Sequence, residues 1–484
     1  MSINVNLPPL PSRKTKIIAT LGPASNSAEA IHDLINAGAN VFRLNMSHGE
    51  HDSHRKTYHL IRKTAKTLNQ HITIFADLCG PKIRTGRFNN SCITLKPGSR
   101  VVVTTRNILG EGNLIPCQYA ALADDVKPGD RILLDDGKLE LMVIEKSITE
   151  IDCEVIYGGE LKNNKGINLP GVNVSCPSLT EKDRADAMFA LELGVDYLAL
   201  SFVRRAEDID CLRQLISDNG YETHIIAKLE KPEALMNGEE IINASDAIMI
   251  ARGDLGVELN PEDVPIAQHQ LIRRARALNK PVIVATQMLE SMIESSRPTR
   301  AEATDVSNAV YWAADAVMLS AETAAGKFPV EAVKMMARII KQTEAFMRTQ
   351  AIFGKSVPRE NELKQLPYGH AVADATAQLC FDLKAKAIVS ITKTGMTVIT
   401  LCSARPEAPL IAISSDLKIC QRMNLYWGVI PIHSKEAGLS HPNKLARHHA
   451  LNSELAAEGD NIILVRGFDQ DTRLNTPTIT ILTV

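Results

Sequence analysis

Hydrophobic residues along this chain gather into short unbroken runs, rich in Ile and Val, that turn polar only at their C-terminal ends. There are eight: KIIATLG (16–22), NVFRLNMSHG (40–49), ITIFADLCG (72–80), VDYLALSFV (195–203), IIAKLEK (225–231), AIMIARGD (247–254), PVIVATQM (281–288) and AVMLSAET (316–323). Continuous rather than alternating apolar residues mark strands buried on both faces, as in a parallel sheet. Most intervals carry amphipathic helical spacing, as at 27–37, 181–193 and 265–278. Alternating strand and helix imposes right-handed parallel crossovers, and eight such units close into a (β/α)₈ barrel. The polar run ends then gather on one rim, which in this architecture is the catalytic face. They are Thr20, Arg43, Asn45, Ser47, Asp77, Ser201, Lys228, Glu230, Asp254, Thr286, Gln287, Ser320 and Glu322.

Two segments break the rhythm. After the third run, positions 81–176 hold short Val/Ile/Leu stretches separated by turn signals (KPGS, KPGD, DDGK), which predicts an inserted all-β domain. Asp135, Asp136 and Gly137 fall where a tight hairpin belongs and receive no function. The return is marked by LTEKD, with Thr180 as N-cap and Asp183 three residues on. From 368 to 484 a second α/β series follows (AIVSIT, PLIAIS, VIPIH, NIILVRG, ITILTV), predicting a C-terminal doubly wound domain. The expected division is a tail at 1–11, a barrel at 12–80 and 177–350, the insert at 81–176, a linker at 351–367 and the C-terminal domain at 368–484.

Composition narrows the chemistry. The 484 residues carry 54 basic and 56 acidic side chains, a formal charge of −2, with no basic run suited to nucleic acid. Nine scattered cysteines lack metal spacing or a disulfide framework, and neither a signal peptide nor a membrane-length apolar stretch is found. A cytoplasmic protein acting on small molecules is expected. Residues 225–259 are the most informative stretch. Glu230 and Asp254 end neighbouring runs and offer hard oxygen ligands to Mg²⁺, which takes one or two protein carboxylates and completes its shell with water and substrate oxygens. Each carboxylate is equally able to belong to a structural ion pair, and Lys228 to be the partner. As a cation in a metal-bearing anion site, Lys228 would stabilise negative charge that develops during reaction.

The fork of Arg43 suits either a barrel-end ion pair or a phosphate, beside Asn45, Ser47 and His48 leading into a helix. Asp77, Gly80, Lys82 and Arg84 sit where the chain leaves the barrel, as a solvated hinge or as cations facing a phosphate chain. Lys165 lies in the glycine-flanked loop NNKGINLPG, at the surface or on a lid reaching a nucleotide. Gly253 either packs tightly or offers its N–H to a carboxylate, and Thr286 either caps a helix or binds substrate. AAGKF (324–328) is not a P-loop, because Ala321 occupies the place of its first glycine.

In order and spacing, TKIIATLGPAS, RLNMSHG, DLCGPKIR, NNKGINLPG, AKLEK, ARGDLGVEL, ATQMLESM, PTRAEATDVSNAV and DAVMLSAETAAGKFP together resemble the pyruvate kinase family over nearly the whole chain. The resemblance implies transfer of the phosphoryl group of phosphoenolpyruvate to ADP, giving pyruvate and ATP, the final step of glycolysis. It assigns the divalent ion, Mg²⁺ or Mn²⁺, to Glu230 and Asp254, and the transferring phosphoryl group to Arg43 and Lys228, with Lys228 also steadying the enolate. Gly253, Asp254 and Thr286 would hold the substrate, and Asn45, Met46, Ser47, His48, Arg84 and Lys165 the nucleotide. Two other readings remain: a Mg²⁺-dependent aldolase acting through a pyruvate enolate, which leaves the insert and Lys165 unexplained, and a catalytically silent regulatory homologue, which the full set of chemical residues argues against.

One departure stands out. Many family members hold K⁺ with residues matching Asn45, Ser47 and Asp77 plus a threonine following that aspartate, and they carry a glutamate at position 82. This chain has Leu78, Cys79 and Lys82 instead. Leu78 offers no side-chain oxygen, so Lys82 is expected to supply the positive charge internally and K⁺ to be dispensable. Thr392, Lys393, Thr394, Gly395 and Thr397 open a helix after a strand, a helix cap or a phosphate cradle. The family uses this loop for phosphorylated effectors. The resemblance also implies a homotetramer, with PTRAEATDVSNAV and the C-terminal domain as interface candidates.

Overall fold

A computed structural model describes residues 13–354, 368–468 and 476–484. The expected tail at 1–11 and positions 355–367 of the expected linker lie outside the described residues. Eight parallel strands close into a barrel: Lys16–Thr20, Val41–Asn45, Thr73–Asp77, Tyr197–Leu200, His224–Leu229, Ala247–Ala251, Val282–Ala285 and Ala316–Leu319. The first and last pair in register, Lys16 with Ala316. Nearly every strand residue is buried, because the barrel interior covers one face and the helical ring the other, which is why the runs read as continuous.

Each strand stops before its sequence run does. Ser201, Glu230, Thr286 and Ser320 lie just past the last strand residues, and AIMIARGD ends as a strand at Ala251. Arg252, Gly253 and Asp254 instead begin a seven-residue helix, Arg252–Glu258. The helices predicted over 27–37 and 181–193 are found, the second with the expected cap at Thr180. Ser27 accepts from Ala30 N–H ahead of Ala28–Ala37, and Thr180 with Asp183 forms a full capping box for Glu181–Leu193.

The insert contains a six-stranded sheet and a two-stranded one, mostly antiparallel. It is not purely β, since Leu122–Asp125 forms a short helix. Asp135 and Asp136 make the expected hairpin turn, both at positive φ (+51° and +58°). The two chain crossings into this insert are tied to one buried carboxylate. Asp183 accepts from Gly80 N–H (3.1 Å) on the way out and from Thr180 N–H (3.0 Å) on the way back. Gly80 has φ +69°, and a Cβ there would lie 2.7 Å from the Phe202 ring, so the exit turn requires glycine.

The C-terminal unit is a five-stranded sheet, four strands parallel and the edge strand Thr478–Thr483 antiparallel to Asn461–Arg466. It packs on the barrel end away from the catalytic rim. Arg405 pairs with Asp315 (2.7 Å), and Lys14 lies over the Trp427 ring (5.2 Å). Lys16 donates to Val429 O (2.7 Å). Burial, with Arg13 adding to it, pulls the Lys16 ammonium down to about 7 from the usual 10.5. Between those values the unfolded chain binds a proton that the folded chain lacks, so this group's contribution to stability rises with pH. The Tm of the wild type relative to Lys16→Met therefore climbs as pH is raised from about 7 to about 9. A difference that stays flat, followed by thermal melting of both proteins, would show that Lys16 keeps its proton throughout.

Candidate active site

Buried charge concentrates at the catalytic rim. Lys228, from the fifth barrel strand, reaches Glu230 Oε1 at 2.9 Å and Asp77 Oδ1 at 3.3 Å, and donates to Ser201 Oγ (2.6 Å). Ser201 in turn donates to Leu78 O (2.7 Å), so a chain of contacts fixes the ammonium. Arg43 Nε pairs with the other Asp77 oxygen at 2.6 Å, and its Nη1 lies 3.4 Å from Thr20 Oγ1. Glu230 Oε2 accepts from Phe202 N–H (2.8 Å). Asp77 and Glu230 are each 1 % exposed. Both oxygens that face Lys228 have an ion-pair contact but no well-directed hydrogen bond.

The protonation pattern follows. Burial opposes the charge on Lys228, but Asp77 and Glu230 together outweigh it and push the ammonium up. Burial also opposes charge on Asp77, and Lys228 with Arg43 overcomes it, holding that carboxyl down. Glu230 goes the other way: burial raises it, Lys228 lowers it only in part, and the negative charge of Asp254 raises it further. Lys228 stays charged because it faces two acids, whereas Glu230 shares that one ammonium with Asp77. Two cations stand against three carboxylates here, and Glu230 and Asp254 repel each other.

That donor set fits a divalent cation. Among the described residues no group of three or more His, Cys, Asp or Glu is arranged to hold a metal. Two carboxylates are nevertheless the usual protein share for Mg²⁺ beside an anionic substrate, and Glu230 Oε1, which has an ion-pair contact but no well-directed hydrogen bond, adds to the fit.

Thr286 and Gly253 meet directly. Gly253 N–H donates to Thr286 Oγ1 (2.6 Å), which itself donates to Ala285 O (2.6 Å), so neither the helix cap expected for Thr286 nor a free Gly253 N–H is found. Asn45 Oδ1 accepts from Ser47 N–H (3.2 Å), and His48 O accepts from His54 (2.8 Å). The Met46 side chain is packed in the barrel core, leaving its backbone to face the rim. Lys182 holds Met46 O (2.8 Å). Pro23, Asn26, Ser53 and His54 join Arg43, Asn45 and His48 around a neighbouring cavity. Strand-end reasoning missed these four because they come from loop and helix positions.

On the insert, Arg84 donates to Asn164 O (3.0 Å) and Lys165 pairs with Asp135 (2.8 Å). The insert meets the barrel at Asn168, which donates to Glu258 Oε1 (3.1 Å), itself paired with Lys231 (2.5 Å), and at Cys176 O, which accepts from Arg204 (2.7 Å). Asp136 and Gly166 from the insert and Asp254 from the barrel line one cleft. Lys82 is exposed along that cleft and forms no ion pair with Asp77, whose two oxygens face Arg43 and Lys228. Leu78 is buried among barrel side chains.

The loop 392–397 lies on the C-terminal sheet, apart from the rim. Thr392 Oγ1 already accepts from Gly395 N–H (2.9 Å), and Thr394 O accepts from Arg422 (2.9 Å). Lys393 and Thr394 are exposed, whereas Thr392 and Thr397 are buried.

A barrel with paired acids and cations at its rim, facing a β-insert, fits an enzyme that handles a small phosphorylated anion with a divalent metal. Residues 12–333 match the pyruvate kinase barrel domain and 370–482 the pyruvate kinase alpha/beta domain. The chain is 44 % identical over 464 residues to pyruvate kinase 2 of Synechocystis, covering 95 % of this chain and 77 % of that one. It is 43 % identical to a pyruvate kinase of Agrobacterium vitis, covering 94 % of each. The crystal structure of a pyruvate kinase from Cryptosporidium parvum superposes with a TM-score of 0.90 at 38 % identity, covering 97 % of this chain and 96 % of that one. The chain belongs to the pyruvate kinase family, a family generally dependent on Mg²⁺, and transfers the phosphoryl group of phosphoenolpyruvate to ADP.

Proposed function

We propose that the transfer takes place around Lys228, and the buried Lys228, Asp77, Glu230 and Arg43 cluster is the observation that carries this reading. Arg43 and Lys228 flank the phosphoryl group as its bond to the enol oxygen breaks and a bond to the terminal phosphate of ADP forms. A loose phosphoryl transition state asks for in-line positioning and charge neutralisation, which fixed cations supply. Lys228 then faces the enolate oxygen before the methylene carbon takes a proton to give pyruvate. Glu230 and Asp254 would hold Mg²⁺ or Mn²⁺, which when bound neutralises charge on the substrate oxygens. Gly253, Asp254 and Thr286 hold the carboxylate and methyl end.

The nucleotide phosphates meet the backbone and side chains of 45–48, with Arg84 and Lys165 arriving from the insert. The cavity beside Arg43 receives the base. Closure of 81–176 over the barrel segments 12–80 and 177–350 excludes water. The exposed Lys393 and Thr394 of 392–397 meet a phosphorylated effector, and 368–484 is the regulatory unit. Exposed Tyr311 at the end of the PTRAEATDVSNAV helix and Ile481 on the open edge strand support self-association as a homotetramer. No helix of the described residues is long and apolar enough to cross a membrane, consistent with a cytoplasmic location.

Potassium is dispensable in this reading. Leu78 is buried and without oxygen, Asp77 is already paired twice, and Lys82 brings a fixed cation to the cleft. With phosphoenolpyruvate, ADP and Mg²⁺ in K⁺-free tetramethylammonium buffer, ATP and pyruvate form in equal amounts at a rate that added K⁺ leaves essentially unchanged. A strong rise on adding K⁺ overturns the cation assignment, and failure to form ATP under either condition overturns the site itself.

A further inference from the structure

Thr286 and Gln287 both adopt left-handed backbone, at φ +70° and +54°. For a β-branched residue this is an outlier, and it persists only where the surroundings over-determine it. Arg252 supplies those surroundings. Its guanidinium, in a residue 9 % exposed, donates through Nη2 to Thr286 O (2.8 Å) and through Nε to Ala285 O (3.4 Å). Its Nη1 binds Asp305 Oδ1 (2.6 Å) and lies 3.4 Å from Gln268 Oε1. These partners lie at the end of the seventh barrel strand and on helices Val264–Ala277 and Arg300–Tyr311. On its other side Thr286 is met by Gly253 N–H, one residue after Arg252. The turn is thus gripped by its carbonyls from beneath and by its hydroxyl from above.

We propose that Arg252, steadied by Asp305, is a positioning residue for phosphoenolpyruvate: its fork holds Thr286 in the strained conformation that presents Oγ1 beside Gly253 at the substrate. Only a planar guanidinium reaches two successive carbonyls and a carboxylate together, whereas a lysine ammonium is a single point charge. The inference rests on Thr286 contacting substrate, and the test separates the two.

Steady-state kinetics of Arg252→Met, Arg252→Lys, Thr286→Ala and the Arg252/Thr286 double variant decide it. Arg252→Met raises the KM for phosphoenolpyruvate about tenfold, corresponding to about 1.4 kcal/mol, and leaves the KM for ADP unchanged. Arg252→Lys recovers part of that loss. The double variant is no worse than the worse single one, because both changes remove the same positioned hydroxyl. Additive losses, or equal rises in both KM values, overturn the proposal. If Thr286→Ala leaves the KM for phosphoenolpyruvate unchanged, the substrate role of Thr286 and this proposal fall together. If Thr286→Ala raises it and Arg252→Met does not, the role of Arg252 alone falls. Should Arg252→Met not fold, Asp305→Asn keeps the fork but removes its counter-ion. It gives a smaller rise in the same KM, and no rise overturns the proposal.

Discussion

Lys228→Met lowers turnover of phosphoenolpyruvate and ADP by at least about 10²–10³-fold, the cost of removing one group that stabilises a developing oxyanion. The expected loss is large because this ammonium has no understudy. Arg43 is committed to Asp77 through Nε at 2.6 Å, and Ser201 is a neutral hydroxyl that orients the lysine without replacing its charge. The substitution also leaves Glu230 without its ion-pair partner in a site it shares with Asp254. Breaking a buried pair on one side costs about 3–5 kcal/mol, so the variant melts lower as well. A coupled ATP assay run beside thermal melting tests both parts. Turnover within tenfold of the wild type at saturating substrate would place the reacting atoms somewhere other than beside Lys228.

Glu230→Gln weakens divalent-ion binding by at least about 10–100-fold, the range already seen when a metal site loses only a supporting contact. The amide keeps the size of the carboxyl and still accepts from Phe202 N–H, so the local fold survives while the charge is lost. Asp254→Asn acts in the same direction, because it removes the charge of the second carboxylate proposed to hold the ion. Direct Mn²⁺ titration of the free protein reads the loss without relying on catalysis. Unchanged Mn²⁺ affinity in both variants would remove these carboxylates from the metal site.

Much of the architecture was legible because burial leaves a strong mark on composition. A strand covered on both faces is apolar along its middle, so eight such runs identify a barrel, and the polar residues at each run's C-terminal end mark its rim. The capping box at Thr180 and Asp183 was readable for a similar reason: three residues of chain satisfy its geometry. Candidate chemistry was legible as residue type and location. Glu230, Lys228 and Arg43 stand where strand ends gather them, and the family motifs name them again.

Pairing was not legible. Asp77 reads from sequence as a rim acid beside a cation site, yet it is the shared counter-ion of Arg43 and Lys228. Arg43 comes from the strand paired beside it and Lys228 from the strand beyond Tyr197–Leu200, so the trio meets only in the assembled barrel. Lys82 reads as the internal cation, and it lines the cleft that Asp254 lines and Asp77 does not. Arg252 reads as the end of a strand, but the strand stops at Ala251 and the arginine turns beneath the next strand's end to grip Thr286. Nothing local announces a left-handed threonine.

The sequence by itself determined which segments are buried, that eight apolar runs are strands, where the Thr180 cap falls, and which reactive side chains exist near the rim, since these follow from local periodicity and from the chemistry of single residues. Only the tertiary structure decided which charges meet and which oxygens remain unpaired. It also decided which strained turn is held and by what. These depend on distances of a few ångströms between residues as far apart in the chain as Asp77 and Lys228, or Arg252 and Asp305. Electrostatic and hydrogen-bond energies change steeply over such distances, and the chain fixes them only by folding.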